Sequence, residues 1–177
     1  MRRALVLLMF LLASRATAGA IVAGAPELPA GVRAQLTAAY PGWRFARVDP
    51  RLRPELVTEP GCRRSPEWVS GDFDGDGRTD YAVQIIRPGP RDSAQFVLAF
   101  VARRGAYQRF VLKQAGEHLG FFLRTSRPGE RVLDLEKDLN GDSSFVLVRD
   151  AVDILSGSTG TTCLYESGRR RCVVSGD

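Results

Sequence analysis

The chain has 177 residues, 25 of them Lys or Arg, 20 Asp or Glu and one His. That length suits one ordinary domain with a real core, and an apolar share of 44% excludes disorder as its main state. Eighteen Gly and ten Pro without a period of three exclude a collagen-like fibre.

The N-terminus reads as a secretory signal. Arg2 and Arg3 precede the apolar run Ala4–Ala13, and Ala16-Thr17-Ala18 supplies an A-x-A cleavage site. A run of that length is too short to cross about 30 Å of hydrocarbon. We read residues 1–18 as the signal peptide, 19–28 as a flexible lead-in and 29–177 as a single α+β domain, periplasmic or secreted. Cleavage removes three of the 25 basic residues and none of the 20 acidic ones, which leaves 22 against 20. With so small a surplus, the clusters Arg63-Arg64, Arg103-Arg104 and Arg169–Arg171 read as solvated surface, and nucleic acid is not an expected partner. No later stretch approaches 18 uninterrupted apolar residues, so no membrane span is expected.

Along the mature chain, Pro29–Tyr40 reads as a helix. Val32, Leu36 and Ala39 recur at helical spacing, and Pro41-Gly42 ends it. Val48–Gly61, with three prolines, reads as irregular structure or short edge strands. From Tyr81 the pattern changes to short runs rich in Val, Ile, Phe and Tyr: Tyr81–Ile86, Gln95–Val101, Gln108–Leu112, Val132–Leu135 and Phe145–Val148. Gly- and Pro-containing breakers separate them, so a mainly antiparallel sheet is predicted. Gln95–Val101 is apolar on both of its faces and is expected to be a central strand, with the N-terminal helix as a candidate cover. Trp43, Trp68 and Tyr81 read as packing residues.

Export implies an oxidising compartment, where two of the three cysteines (Cys62, Cys163, Cys172) are expected to pair. The last two runs, Thr161–Glu166 and Arg169–Val174, flank Ser167-Gly168, which fits a two-residue hairpin loop. Counting outward from that loop sets Cys163 opposite Cys172 at a non-hydrogen-bonded position, where Cα atoms are about 4.5 Å apart and within reach of a disulfide. The competing arrangement joins Cys62 to one of them.

The chemistry is concentrated in Gly71-Asp72-Phe73-Asp74-Gly75-Asp76-Gly77-Arg78-Thr79-Asp80. Counted from Asp72, acids stand at positions 1, 3, 5 and 9, and Gly77 at position 6 permits a positive φ. Four carboxylates this close repel one another unless a cation intervenes. All-oxygen ligation by a flexible loop suits Ca²⁺ better than Mg²⁺, which demands strict octahedral geometry, or Zn²⁺, which prefers N and S. Position 12 is Val83 rather than the bidentate Glu of an EF-hand, and the chain continues as a strand. The competing description is an Asp/Gly turn without metal. Asp138, Asn140 and Asp142 echo the spacing, but Ser143 and Val146 stand where Gly and Asp are needed, so that segment reads as a turn.

The segment GDFDGDGRTDYAVQI resembles the aspartate-rich loop of FG-GAP/VCBS-type repeats, which carry D-x-D-x-D-G-x-x-D between two strands. The resemblance implies Asp72, Asp74, Asp76 and Asp80 as side-chain ligands of Ca²⁺ and the Arg78 carbonyl as a further ligand. It spans this segment alone. Catalytic constellations are thin: His118 is the only histidine, no G-x-S-x-G elbow occurs, and zinc hydrolysis usually needs more than one His. No catalytic residue is assigned. The expected function is an exported, non-catalytic calcium-binding accessory or interaction module, with an envelope protein or polysaccharide as partner. The alternative is a cell-envelope hydrolase that uses acidic residues.

Overall fold

A computed structural model describes residues 27–46, 67–89, 93–116, 121–137, 143–156, 159–166 and 168–176. The leader, Val48–Gly61, Cys62, His118 and the Asp138–Asp142 turn lie outside the described residues.

The helix α1 spans Ala30–Ala39. Pro29, with no N–H to leave unsatisfied, precedes it, and its carbonyl accepts the Arg33 N–H at 3.0 Å. The buried stripe is Leu28, Val32, Leu36 and Tyr40, a strict four-residue step. Ala39, expected on that stripe, is exposed because a three-residue step from Leu36 rotates it off the face that Tyr40 occupies. Gly42, at φ 72, turns the chain away, and the Trp43 indole N–H reaches back to the Thr37 hydroxyl at 3.3 Å.

Among the described residues eleven strands follow: β1 Arg44–Phe45, β2 Trp68–Gly71, β3 Asp80–Arg87, β4 Ala94–Arg103, β5 Ala106–Ala115, β6 Phe122–Ser126, β7 Arg131–Leu133, β8 Ser144–Val146, β9 Ala151–Ser156, β10 Thr159–Glu166 and β11 Arg169–Gly176. All their pairings are antiparallel. A five-stranded sheet runs β1-β3-β4-β5, with β2 beside β1 on the same edge of β3: β1 pairs with Ile85 and Ile86, β2 with Asp80 through Val83. A four-stranded sheet runs β11-β10-β9-β6, and β7 and β8 form a separate ribbon.

Three apolar clusters stack these pieces into layers. Between the sheets lie Val97, Ala99 and Val101 of β4 against Leu123, Val152, Ile154, Cys163 and Tyr165. On the far face of β4, Phe96, Leu98 and Phe100 pack with the α1 stripe. On the far face of the four-stranded sheet, Ala151, Leu164 and Val173 are covered by Val132 and Leu147 at the ribbon. The central strand is therefore sealed on both sides, one of them by the helix. This is the α+β, mainly antiparallel architecture expected.

Strands β1 and β2 are short, and polar residues interrupt the apolar runs of β6 and β9. On β6 and β9, Arg124 faces Asp153 across the pair. Asp153 is 3% exposed, and its carboxylate accepts from Arg124 Nη2 at 2.8 Å, Thr162 Oγ1 at 2.8 Å and the Ser126 hydroxyl. A buried charge that is paired and hydrogen-bonded escapes the full desolvation cost, so a core-facing position here is polar. Val148, expected at the end of a strand, lies beyond β8 and is 77% exposed.

The closing hairpin runs in register from Glu166↔Arg169 to Cys163↔Cys172 and beyond. The two sulfurs are bonded at 2.08 Å, with the Cα atoms 4.1 Å apart. The bond pins β10, a central strand, to the edge strand β11. Replacing both cysteines with Ala should cost about 2–3 kcal/mol by the chain-entropy account of a short closed loop. Urea unfolding of the oxidised protein and the double variant checks this. An unchanged midpoint, or peptide mapping that links Cys62 instead, contradicts the register.

Candidate metal centre

The Asp-rich segment is the connection between β2 and β3, closed at its base by the pair Gly71↔Asp80. Its shape is written by its own carboxylates. Asp72 Oδ1 accepts the N–H groups of Gly75 at 2.8 Å and Asp76 at 2.9 Å, and Oδ2 accepts that of Gly77 at 2.9 Å. Gathering three successive amides onto one side chain requires left-handed turns, and Gly75 (φ 77) and Gly77 (φ 80) supply them. The expectation of a positive φ at Gly77 holds, and Gly75 adds a second.

The base of the loop is anchored in the core. Phe73 is fully buried between the sheets. Asp80, also fully buried, accepts the Phe73 N–H on Oδ2 at 2.9 Å and the Ala102 N–H on Oδ1 at 2.7 Å. Gly71 is glycine for want of space: a Cβ there falls 2.7 Å from Phe73 Cε1 and 2.8 Å from Asp150 Oδ2. Residues distant in sequence clamp the rim. Asp150 Oδ2 accepts the Asp72 N–H at 2.9 Å and is held by Arg127 Nη1 at 3.0 Å. Arg149 Nη1 donates to the Asp74 carbonyl at 2.6 Å, and Arg103 pairs with the Asp74 carboxylate. Arg103, Arg127, Arg149 and Asp150 carry no local motif, and no sequence signal marks them as neighbours of the loop.

Oxygens of Asp72, Asp74 and Asp80 all lie within 4.8 Å of one another. Oxygens on opposite sides of one Ca²⁺ are about 4.8 Å apart at most, given Ca–O distances near 2.4 Å. A carboxylate offers about four lone-pair directions, and each of the three retains some beyond its protein hydrogen bonds. These three residues could therefore hold a metal ion. Asp76, expected beside them, stands outside the group: its Oδ1 accepts the Arg78 N–H at 2.9 Å and its Oδ2 lies 3.7 Å from the Arg78 guanidinium. Once Asp72 has captured the amides of residues 75–77, the position-5 carboxylate turns toward residue 78. Both the backbone N–H and the guanidinium of Arg78 meet Asp76.

Burial pushes the Asp80 carboxyl up from 3.8 to about 6, against the pull of the Ala102 and Phe73 amides and with help from the neighbouring Asp74 charge. Comparison of the chain with family models, curated proteins and solved structures yields no match. The site therefore stands on its own chemistry.

The Asp80 shift has an unusual sign for a carboxyl. The folded, metal-free state holds this proton more tightly than an unfolded chain whose Asp titrates near 3.8. Through Asp80 alone, stability is highest below about pH 4 and declines as pH rises toward 6. Carboxyl-carbon NMR in EDTA should show one Asp midpoint near 6, lost in Asp80→Asn. All midpoints below 4.5 would contradict the burial account.

Proposed function

We propose that the protein is an exported, non-catalytic calcium-binding accessory or interaction module of the periplasm or cell envelope. The observation that carries the reading is the convergence of oxygens of Asp72, Asp74 and Asp80 to within 4.8 Å of one another on a loop held by Asp150 and, through Asp80, by the Ala102 amide of β4. All-oxygen ligands on a backbone that turns through two glycines suit Ca²⁺ better than Mg²⁺. The position of the loop between two antiparallel strands supports its likeness to FG-GAP/VCBS-type calcium loops. Calcium at this place would lock the β2–β3 connection against Arg103 and the Arg149-Asp150 segment, and so fix one end of the sandwich as a rigid surface for an envelope protein or polysaccharide. The disulfide between Cys163 and Cys172 suits an oxidising, exported compartment, and no helix among the described residues is long and apolar enough to cross a membrane.

Calcium should stabilise the protein. With a Kd near 10 μM, tighter than many extracellular sites, 1 mM free Ca²⁺ adds about 2.7 kcal/mol. Thermal melts in EDTA, Ca²⁺ and Mg²⁺ measure the shift. Asp72→Ala and Asp74→Ala should remove most of it, Asp76→Ala much less, and Mg²⁺ should produce a smaller shift. Equal melting temperatures in EDTA and millimolar Ca²⁺ would contradict the reading. Turnover of envelope polysaccharide that survives EDTA would favour the hydrolase alternative.

A further inference from the structure

The clusters Arg103-Arg104 and Arg169–Arg171 stand far apart in the sequence, and the fold divides each of them. Arg103 is taken by Asp74, Arg171 lies near Asp134 and Glu166, and Arg169 faces Glu166 across the closing hairpin. Arg104 and Arg170 remain, both exposed, and both belong to one edge of the molecule. That edge is β5, the outer strand of the five-stranded sheet. Arg104 sits in the turn that leads into it. Arg109, also exposed, stands on the strand, with its guanidinium 5.2 Å from the centroid of the Tyr40 ring of α1. Arg170 crosses from β11 and donates to the Val111 carbonyl. Lys113, beyond the β-bulge opposite Val97 and Leu98, reaches Thr161 Oγ1 at 3.4 Å. Arg109, Val111 and Lys113 follow at two-residue steps, about 7 Å apart along the strand.

Among the described residues, none of these four cations has an ion-pair partner. The elements that meet along the edge, α1, β5 and β11, contain no Asp or Glu. Interspersed signs keep a surface neutral at a distance, whereas a strip of one sign draws in a polyanion. The details of the edge narrow the kind of polyanion. A guest β-strand would need the outward carbonyls of β5, but that of Tyr107 already accepts from Gln35 Nε2 at 2.8 Å and that of Val111 from Arg170. A lipid surface calls for an apolar face beside the cations, and on α1, β5 and β11 the one exposed large apolar side chain among the described residues is Val111. Single-stranded nucleic acid calls for exposed rings on which bases stack, whereas Tyr40 is buried and Tyr107 half-buried. A flexible chain of sugars bearing carboxylate or sulfate groups needs neither backbone pairing nor an apolar face, and guanidinium forks match its anionic groups.

We propose that this edge, formed by Arg104, Arg109, Lys113 and Arg170, is a docking surface for an acidic polysaccharide of the cell envelope. It names the partner that the reading of an exported envelope module leaves open, rests on that reading for where the two meet, and needs no metal.

The test is fluorescence anisotropy of labelled polygalacturonate with the full mature chain, in EDTA because this glycan takes up calcium itself. Binding should be measurable at about 50 mM NaCl and weaken about tenfold or more at about 200 mM, and uncharged dextran should not bind. Arg104→Gln, Arg109→Gln and Arg170→Gln together should lower affinity about tenfold or more. Arg44→Gln, Arg87→Gln and Arg131→Gln, which remove the same charge from β1, β3 and β7, should stay within about twofold of wild type. Arg109 covers Tyr40, so thermal melts accompany each triple variant. Arg104→Glu, a single exposed change in a turn, should by itself weaken binding about threefold or more and leave the melting temperature unchanged, which keeps the test independent of how the triple folds. No binding of polygalacturonate by the wild-type chain, equal losses in the two triples, or tighter binding of poly-glutamate, duplex DNA or phosphatidylglycerol vesicles overturns the proposal. Each of these results leaves the calcium reading standing, because the assay contains no free calcium.

Discussion

Two backbone amides from different parts of the chain, those of Phe73 and Ala102, converge on the buried carboxylate of Asp80. One belongs to the Asp loop and the other to the end of the central strand β4. The carboxylate thus joins the β2–β3 connection to the strand that both apolar layers share. Because its side chain is committed downward, Phe73 is drawn into the core, and the segment above must turn within a few residues. Asp72 and the two left-handed glycines make that turn. The convergence of Asp72, Asp74 and Asp80 follows from the same constraint, since a loop anchored at its last acid folds its first acids back over it.

Charge is the cost of this arrangement. Three carboxylates gathered within a few ångströms repel, and the chain offsets that with Arg103 on Asp74, Arg149 on the Asp74 carbonyl and donated amides on all three. Burial, with a smaller push from the Asp74 charge, still holds the Asp80 carboxyl above its ordinary value. Asp153, also buried, is surrounded by Arg124, Ser126 and Thr162. The contrast gives the loop its character. Asp153 is satisfied by its neighbours, whereas oxygens of Asp72, Asp74 and Asp80 lie within 4.8 Å of one another and could hold a metal ion.

Much of this was legible in the residues. The run Gln95–Val101, apolar on both faces, declares a strand buried on both sides. The Ser167-Gly168 turn sets the register that brings Cys163 to Cys172, and the acids of 72–80 declare the loop. What escaped did so for physical reasons. Strands β6 and β9 place Arg124 and Asp153 on a face that a ribbon covers, so their alternation is broken by a polar pair. Strand β2 is short and ends in Gly71, whose identity reflects the close approach of Phe73 and Asp150 rather than strand propensity. Asp76 matches the ligand spacing of the motif, yet the capture of amides by Asp72 turns it toward Arg78. The arginines that clamp the loop come from β4 and from the β6–β7 and β8–β9 connections, a proximity created only by tertiary packing.

Equilibrium dialysis against radioactive calcium tests the central claim most directly, because it counts ions rather than inferring them from stability. The account predicts about one Ca²⁺ per chain at 0.1 mM free ion, retained in excess Mg²⁺ and absent from the Asp74→Ala variant. No bound calcium at millimolar concentration in a folded, EDTA-stripped protein, or equal binding by wild type and Asp74→Ala, would contradict it.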